Sequence, residues 1–316
     1  FRSDGDRPLF ARGIGSRVQK IRSINIRVNN GQIFVAIDGG AGGTFSLLPN
    51  KEIRITSNDN RGIWLGARRY RGELRVRLLG NGLQVVNHLG LEPYLASVVG
   101  GEMPKSWPMA ALKAQAVAAR TYALKQHGKA GSFDVKATEA SQVYRGIESE
   151  TTTTKRAVKR TRSLVLVYDR KLIHSVFHSS SGGLTESSGA VWGRQLPYLI
   201  SVTDHDQHSP HYQWERKFQP NQLKEIFKDI GGFSGIQVLK ASGTNRIQLV
   251  RINGPSGDLK LTGKELRSRL GLKSTRVQFE TLERKFSFRD VQPLPSLFSS
   301  NFSIPISISS PGLSPL

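Results

Sequence analysis

The sequence predicts an α+β fold in which a β-rich N-terminal part packs with a long central Ala-rich helix and further hairpins. Three observations carry this expectation. Residues 23–90 alternate apolar and polar side chains between turn signals, as half-buried strands do. The stretch from Pro108 to His127 is dominated by Ala, Leu, Lys and Gln, with no internal Gly or Pro. Alternating runs then return in the second half of the chain.

Taken in order, Ser23 to Val28, Gln32 to Ile37 and Glu52 to Thr56 read as strands, with Asn29-Asn30-Gly31 as a turn. Leu74, Val76 and Leu78 interleave with Glu73, Arg75 and Arg77, and Asn81-Gly82 turns the chain before Leu83, Val85 and Val86, which predicts a hairpin. In the helix that follows, Pro108 fits a first-turn position and Gly128 the stop. Its many alanines leave few bulky side chains, so neighbouring backbone can approach closely and the helix is expected to be buried. Leu164 to Tyr168 and Leu172 to Phe177, joined by Asp169-Arg170, predict a second hairpin. Arg246 to Ile252 predicts another strand. Thr262 to Glu265 has capping-box spacing and opens a short helix that Gly271 closes. The last 27 residues hold eight Ser and five Pro and are expected to be mostly unstructured.

The 316 residues carry 46 Lys plus Arg against 24 Asp plus Glu, a formal charge of +22, with 37% hydrophobic residues and no Cys. The hydrophobic content allows a core. The absence of Cys excludes disulfides, a thiolate nucleophile and Cys-ligated metal sites. The charge selects a polyanionic partner: nucleic acid, anionic lipid, acidic protein or acidic polysaccharide. The densest basic run, Lys155, Arg156, Lys159, Arg160 and Arg162, has no interleaved aromatic until Tyr168, unlike a single-strand nucleic-acid surface. A solvated helix face is its plainer reading. No apolar run approaches the roughly 20 residues of a spanning helix. The chain opens at Phe1 with no apolar stretch near the front, so an export signal is expected to be absent from it, whether removed or never present.

Some tempting motifs fail. His205, His208 and His211, with Asp204 and Asp206 between them, resemble a metal cluster, but Ser209-Pro210 places them on a loop. Gly257 to Lys264 ends in Gly-Lys, yet is one residue too long for a phosphate loop and has Glu265 where Ser or Thr is required. The serines after His178 lie in no nucleophile elbow.

The informative segment is Leu91 to Tyr122, which contains Glu102-Met103-Pro104, Ser106-Trp107-Pro108 and the run from Ala111 to Tyr122. Later come Gln142-Val143-Tyr144, Phe177 to Gly183 with Thr185-Glu186-Ser187, Trp192, Pro197-Tyr198-Leu199 and Leu261 to Ser274. In order and spacing these blocks resemble the SpoIID/LytB domain family, named for the stage II sporulation protein D and for amidase enhancers. The resemblance covers roughly residues 70 to 280. It implies an N-terminal arm at 1–20, a SpoIID/LytB-like domain at 21–289 and a Ser/Pro-rich tail at 290–316. The domain would comprise a β-rich part 21–93, a catalytic part 94–215 and a C-terminal α/β part 216–289.

The resemblance implies a lytic transglycosylase that cuts peptidoglycan glycan strands lacking stem peptides and leaves 1,6-anhydro-muramic acid ends. The family's catalytic glutamate corresponds to Glu102. One carboxyl suffices because the sugar's own C6 hydroxyl attacks, so a single residue can act as general acid and then base. Lys113, Gln115, Arg120, Gln142, Tyr144, His178 and Ser180 are the candidate substrate contacts, each with a packing or bracing role as its alternative. The location implied is extracytoplasmic, with peptidoglycan glycan strands and a cell-wall amidase as partners and no cofactor. A non-catalytic, glycan-binding enhancer of an amidase is the rival reading, and a nucleic-acid binder rests on charge alone.

Two departures stand out. Where zinc-carrying members hold a cysteine pair and a histidine, this chain has Lys136, Ala140 and Ser141, so no metal is expected there. The family's closing Gly-His-Gly-Val-Gly-Met-Ser-Gln segment is missing. A physical tension also attends Glu102. It precedes the predicted helix, whose macrodipole favours the carboxylate, while burial against Met103 and Trp107 would favour the acid. The plainer reading is a helix-entry anion.

Overall fold

The computed structural model describes residues 1–29, 31–38, 43–45, 52–129, 131–281 and 306–309. The fold is α+β, with antiparallel sheets throughout. Two compact units form, Phe1–Phe177 and His178–Leu316, and the break falls inside the stretch 94–215 that the sequence reading kept together.

The first unit begins with β1 Leu9–Arg12, β2 Gln19–Ile21, β3 Ile24–Asn29, β4 Gln32–Ile37, β5 Gly43–Phe45, β6 Ile53–Ser57, β7 Ile63–Leu65, β8 Arg68–Tyr70, β9 Glu73–Leu79 and β10 Gly82–His88. A five-stranded sheet runs β10-β9-β6-β1-β2, β3-β4-β5 form a second sheet and β7 pairs with β8. The alternation read from the sequence is visible in the core. Leu9, Ala11, Ile53, Ile55, Leu74 and Val76 are each at most 1% exposed, at every second position of β1, β6 and β9. The β9–β10 turn sits one residue earlier than Asn81-Gly82, because Gly80 takes the left-handed conformation and Gly82 already pairs with Leu79. Residues 1–20, expected as an arm, supply β1 and enter β2, and Leu9, Ala11 and Ile14 are buried. Two alternating apolar residues suffice for a short strand, a signal too brief to stand out.

Three helices follow: α1 Leu91–Glu102, α2 Met109–Gln126 and α3 Thr152–Arg160. Helix α2 forms where expected and Gly128 is left-handed just past its end, but Pro108 is the N-cap and not a residue of the first turn. Leu112, Ala116, Ala119 and Ala123 share its buried stripe and pack with Leu95, Val98 and Val99 of α1 and Ala157 and Val158 of α3. The exposed flank of α3 carries the basic run. Helix α1 was not foreseen: Tyr94 to Val99 are buried without interruption, so its sequence shows no helical period.

The end of α1 is pressed against the segment 143–149, which includes a short 3₁₀ turn, Gly146–Ser149. A Cβ on Gly100 would run into the Ser149 carbonyl oxygen, and one on Gly101 would lie 2.6 Å from the Val143 oxygen. Ser97 and Ser149 share a hydroxyl hydrogen bond of 2.8 Å across this seam. Gly100→Ala is therefore expected to cost about 2 kcal/mol by overpacking, measured by urea unfolding. An unchanged midpoint would show that the close approach is dispensable.

The unit closes with β11 Val167–Tyr168 and β12 Lys171–Leu172. This hairpin is much shorter than expected. Asp169 and Arg170 are both left-handed, with φ of 48° and 57°, so the tight turn forms, and beyond the two-residue strands the Ile173 N–H still donates to the Leu166 carbonyl at 3.2 Å without extending the ladder.

The second unit contains α4 Ser188–Trp192, β13 Glu215–Phe218, α5 Pro220–Ile226, β14 Gly235–Ala241, β15 Ile247–Gly254, β16 Gly257–Thr262, α6 Gly263–Leu270, β17 Gln278–Thr281 and β18 Ile306–Ser309. Strands β14-β15-β16 form a meander whose core side, with Val250, Ile252 and Leu261, packs with Leu266 and Leu270 of α6. The capping box is formed as read: Thr262 accepts from the Glu265 N–H, Glu265 accepts from the Thr262 N–H, and Gly271 ends the helix at φ 58°. Most of the Ser/Pro-rich stretch 290–316 lies outside the described residues. Its Ile-Ser-Ile-Ser segment forms β18, since strict alternation outweighs the surrounding composition. Among the described residues no helix is long and apolar enough to cross a membrane.

Candidate active site

Glu102 is the last residue of α1, not a residue at the entrance of α2. This reverses the expected electrostatics, because a helix C-terminus carries the negative end of the dipole and disfavours a carboxylate. The side chain is half-buried, and one carboxylate oxygen accepts the Val143 N–H at 2.6 Å. Its second oxygen makes no hydrogen bond to the described residues. Burial pushes the Glu102 carboxyl above its ordinary range, with a smaller upward push from Glu139. The Val143 N–H and the Arg145 charge act the other way without cancelling it. The expected partner Trp107 does not supply this burial, being 47% exposed, whereas Met103 is partly buried against the helical core.

The neighbouring candidates divide. Arg120 is 1% exposed and holds Glu92 through two bonds of 2.8 and 2.9 Å. Nη1 also donates to the Leu164 carbonyl and Nη2 to that of Val158, so Arg120 braces α1, α2 and α3 rather than meeting a substrate. Gln142 is fully buried; its oxygen accepts from the Tyr94 hydroxyl and its amide donates to the Ala119 carbonyl. It cannot reach a sugar in this arrangement. Tyr144 is 7% exposed, donates its hydroxyl to Asn87 at 2.6 Å and packs its ring against Tyr94 and Tyr70. An edge of it, with Tyr94, lines a groove of about 990 Å³ bounded by β9, β10 and residues 131–138, and Glu102 is not in that lining. Lys113 and Gln115 are half-buried on α2. Two residues apart on a helix, they point to different sides, and the Gln115 amide nitrogen is buried with no hydrogen-bond partner among the described residues.

His178 and Ser180 belong to the second unit. His178 is exposed at the start of the serine-rich loop. Ser180 donates its hydroxyl to Asp206, which also accepts the N–H groups of Ser181, Gly182 and Gly183 at 2.7, 2.9 and 2.8 Å. Ser180 therefore braces its own loop, and Asp206, which looked like part of a histidine-rich metal run, is the loop's anchor. Burial of Asp206 opposes its ionisation, but the Ser180 hydroxyl and the three N–H groups outweigh it and hold the carboxyl below the usual range. A depressed folded value means that this stabilisation is present above the unfolded pKa and is lost as pH falls through the folded one. Asp206→Asn is expected to cost about 2 kcal/mol at neutral pH, as hydrogen bonds to a charged group do. That difference should shrink in urea unfolding curves taken below pH ~4; a constant difference would refute the charge-based account.

Sequence reasoning missed the Val143 N–H and the glycine seam that brings it to Glu102. The available signal was the Gly100-Gly101 pair directly before the glutamate.

A family model described as Stage II sporulation protein matches residues 80–168, which include α1, Glu102 and α2. Stage II sporulation protein D of Bacillus amyloliquefaciens is 32% identical over 216 residues, 62% of this chain and 61% of that protein. The amidase enhancer of Bacillus subtilis is 42% identical over 129 residues, 41% of this chain and 17% of its own length. An uncharacterised protein of Brachyspira hyodysenteriae is 37% identical over 176 residues, 55% of this chain and 47% of its own length. The chain thus spans less than two thirds of each of these relatives. The match to the family model falls on the helices that hold Glu102 against Val143, and it is to SpoIID/LytB-type proteins that this part of the chain is similar.

Proposed function

We propose that the chain has a cell-wall role as a lytic transglycosylase acting on peptidoglycan glycan strands that lack stem peptides. The observation that carries this is a half-buried glutamate at a helix C-terminus with its carboxyl raised, one oxygen anchored on the Val143 N–H and the other unengaged. Such a group keeps its proton more readily than an exposed carboxyl does, as a proton donor must. Glu102 protonates the leaving glycosidic oxygen as the bond to the anomeric carbon breaks. The carboxylate so formed takes the proton of the C6 hydroxyl of the same sugar, whose oxygen closes the 1,6-anhydro ring. No water is consumed and Glu102 ends protonated. The +22 charge suits an acidic glycan, and the reading places the protein in the extracytoplasmic space and needs no cofactor.

The name of the Bacillus subtilis relative favours a second reading, in which the chain binds glycan and stimulates an amidase without cutting. The test is incubation of the purified chain and of Glu102→Ala with peptide-free strands, followed by mass spectrometry. Products one water lighter than hydrolysis products, absent with the variant, are expected. Binding without cleavage by either protein leaves the enhancer.

A further inference from the structure

The second unit holds a pocket of about 300 Å³ to which the Glu102 chemistry gives no task. Its wall combines Ser179 and Ser181 of the serine-rich loop, Trp214 just before β13, and the cations Arg267, Lys273 and Arg276. Arg276 is 8% exposed. One of its terminal nitrogens donates to the Gly182 carbonyl, and its buried Nε has no hydrogen-bond partner among the described residues. Arg267 is anchored through Nε on the Leu272 carbonyl at 3.2 Å. Lys273 Nζ lies 3.2 Å from His211 Nδ1, and since an ammonium has only donors, that ring nitrogen accepts. Among the described residues no carboxylate belongs to the lining, and Asp206 nearby is engaged by the loop's own donors.

Cations without a lining counter-anion favour an anionic group, and guanidinium geometry suits a carboxylate. Trp214 adds an apolar ring face and the serines add hydroxyl partners, a combination that fits a sugar better than a bare ion. We infer that this pocket, built wholly within the second unit, binds a sugar ring bearing a free carboxylate. The inference rests on the glycan reading proposed above. It explains why strands stripped of stem peptides would be preferred, since an amide-linked peptide removes the charge that the pocket recognises.

The test uses the full chain carrying Glu102→Gln, titrated calorimetrically with N-acetylmuramic acid, its methyl ester, N-acetylglucosamine and inorganic phosphate. The acid is expected to bind at least tenfold more tightly than the other three. Adding Arg267→Ala and Lys273→Ala, both at exposed side chains, is expected to lower its affinity at least tenfold without moving the melting temperature. Equal binding of acid and ester, phosphate binding as tight as the sugar acid, or an unchanged affinity in the added variant would overturn the assignment. The expected binding pattern together with no cleavage by the unsubstituted chain would uphold the pocket and refute the transglycosylase.

Discussion

Glu102→Gln is expected to reduce cleavage of peptide-free glycan strands by about 10²–10⁴-fold, the usual contribution of a general acid–base group, while glycan binding persists. The same substitution should make the protein more stable at neutral pH. Burial raises the Glu102 carboxyl, so the folded chain binds its proton more tightly than the unfolded chain. Stability from this group is complete below the unfolded pKa and is lost as pH rises through the folded one. Gln carries no charge to desolvate and keeps an oxygen for the Val143 N–H. The rate of the unsubstituted enzyme should likewise fall as pH rises through the raised value, because the proton donor is lost. Thermal melts and a pH–rate profile of both proteins check this. Undiminished cleavage by the variant would remove Glu102 from the mechanism, and a variant less stable at neutral pH would mark the carboxylate as a structural anion.

Glu92→Ala is expected to lower stability by about 3 kcal/mol, the lower end for breaking a buried ion pair, because Glu92 itself is 31% exposed while Arg120 is almost fully buried. The loss comes from stranding the guanidinium, not from deleting an attraction. Replacing both residues by Met should therefore recover part of it. Urea unfolding of Glu92→Met, Arg120→Met and the variant carrying both measures the coupling. KM for glycan should be unmoved in Glu92→Ala. A tenfold rise in KM with unchanged stability would return Arg120 to the substrate cleft.

Elements with one buried face were legible in the sequence. The β9–β10 hairpin and the α6 capping box follow from patterns of two and three residues that need no tertiary information. Helix α1 was not legible, because burial on all sides erased its period and left only an apolar run from Leu95 to Val99. That single omission placed Glu102 at the wrong end of a helix and gave its dipole the wrong sign. Residue type misled at Gln142 and Arg120, whose polar groups suggested a ligand but are satisfied inside the protein. The sequence carries no mark of which polar side chains find internal partners. Arg267, Lys273 and Arg276 were equally silent, since sharing one cavity depends on how the chain leaves α6.

Strand β18 bears on the order in which the molecule can be assembled. It lies between β13 and β17 and pairs with both. Among the described residues those two have no ladder of their own, so the middle strand of this sheet is the last of the three to leave the ribosome. Vectorial synthesis would present β13 and β17 as two unpaired edges until Ile306–Ser309 emerges. Until then both edges offer a template on which another chain could pair.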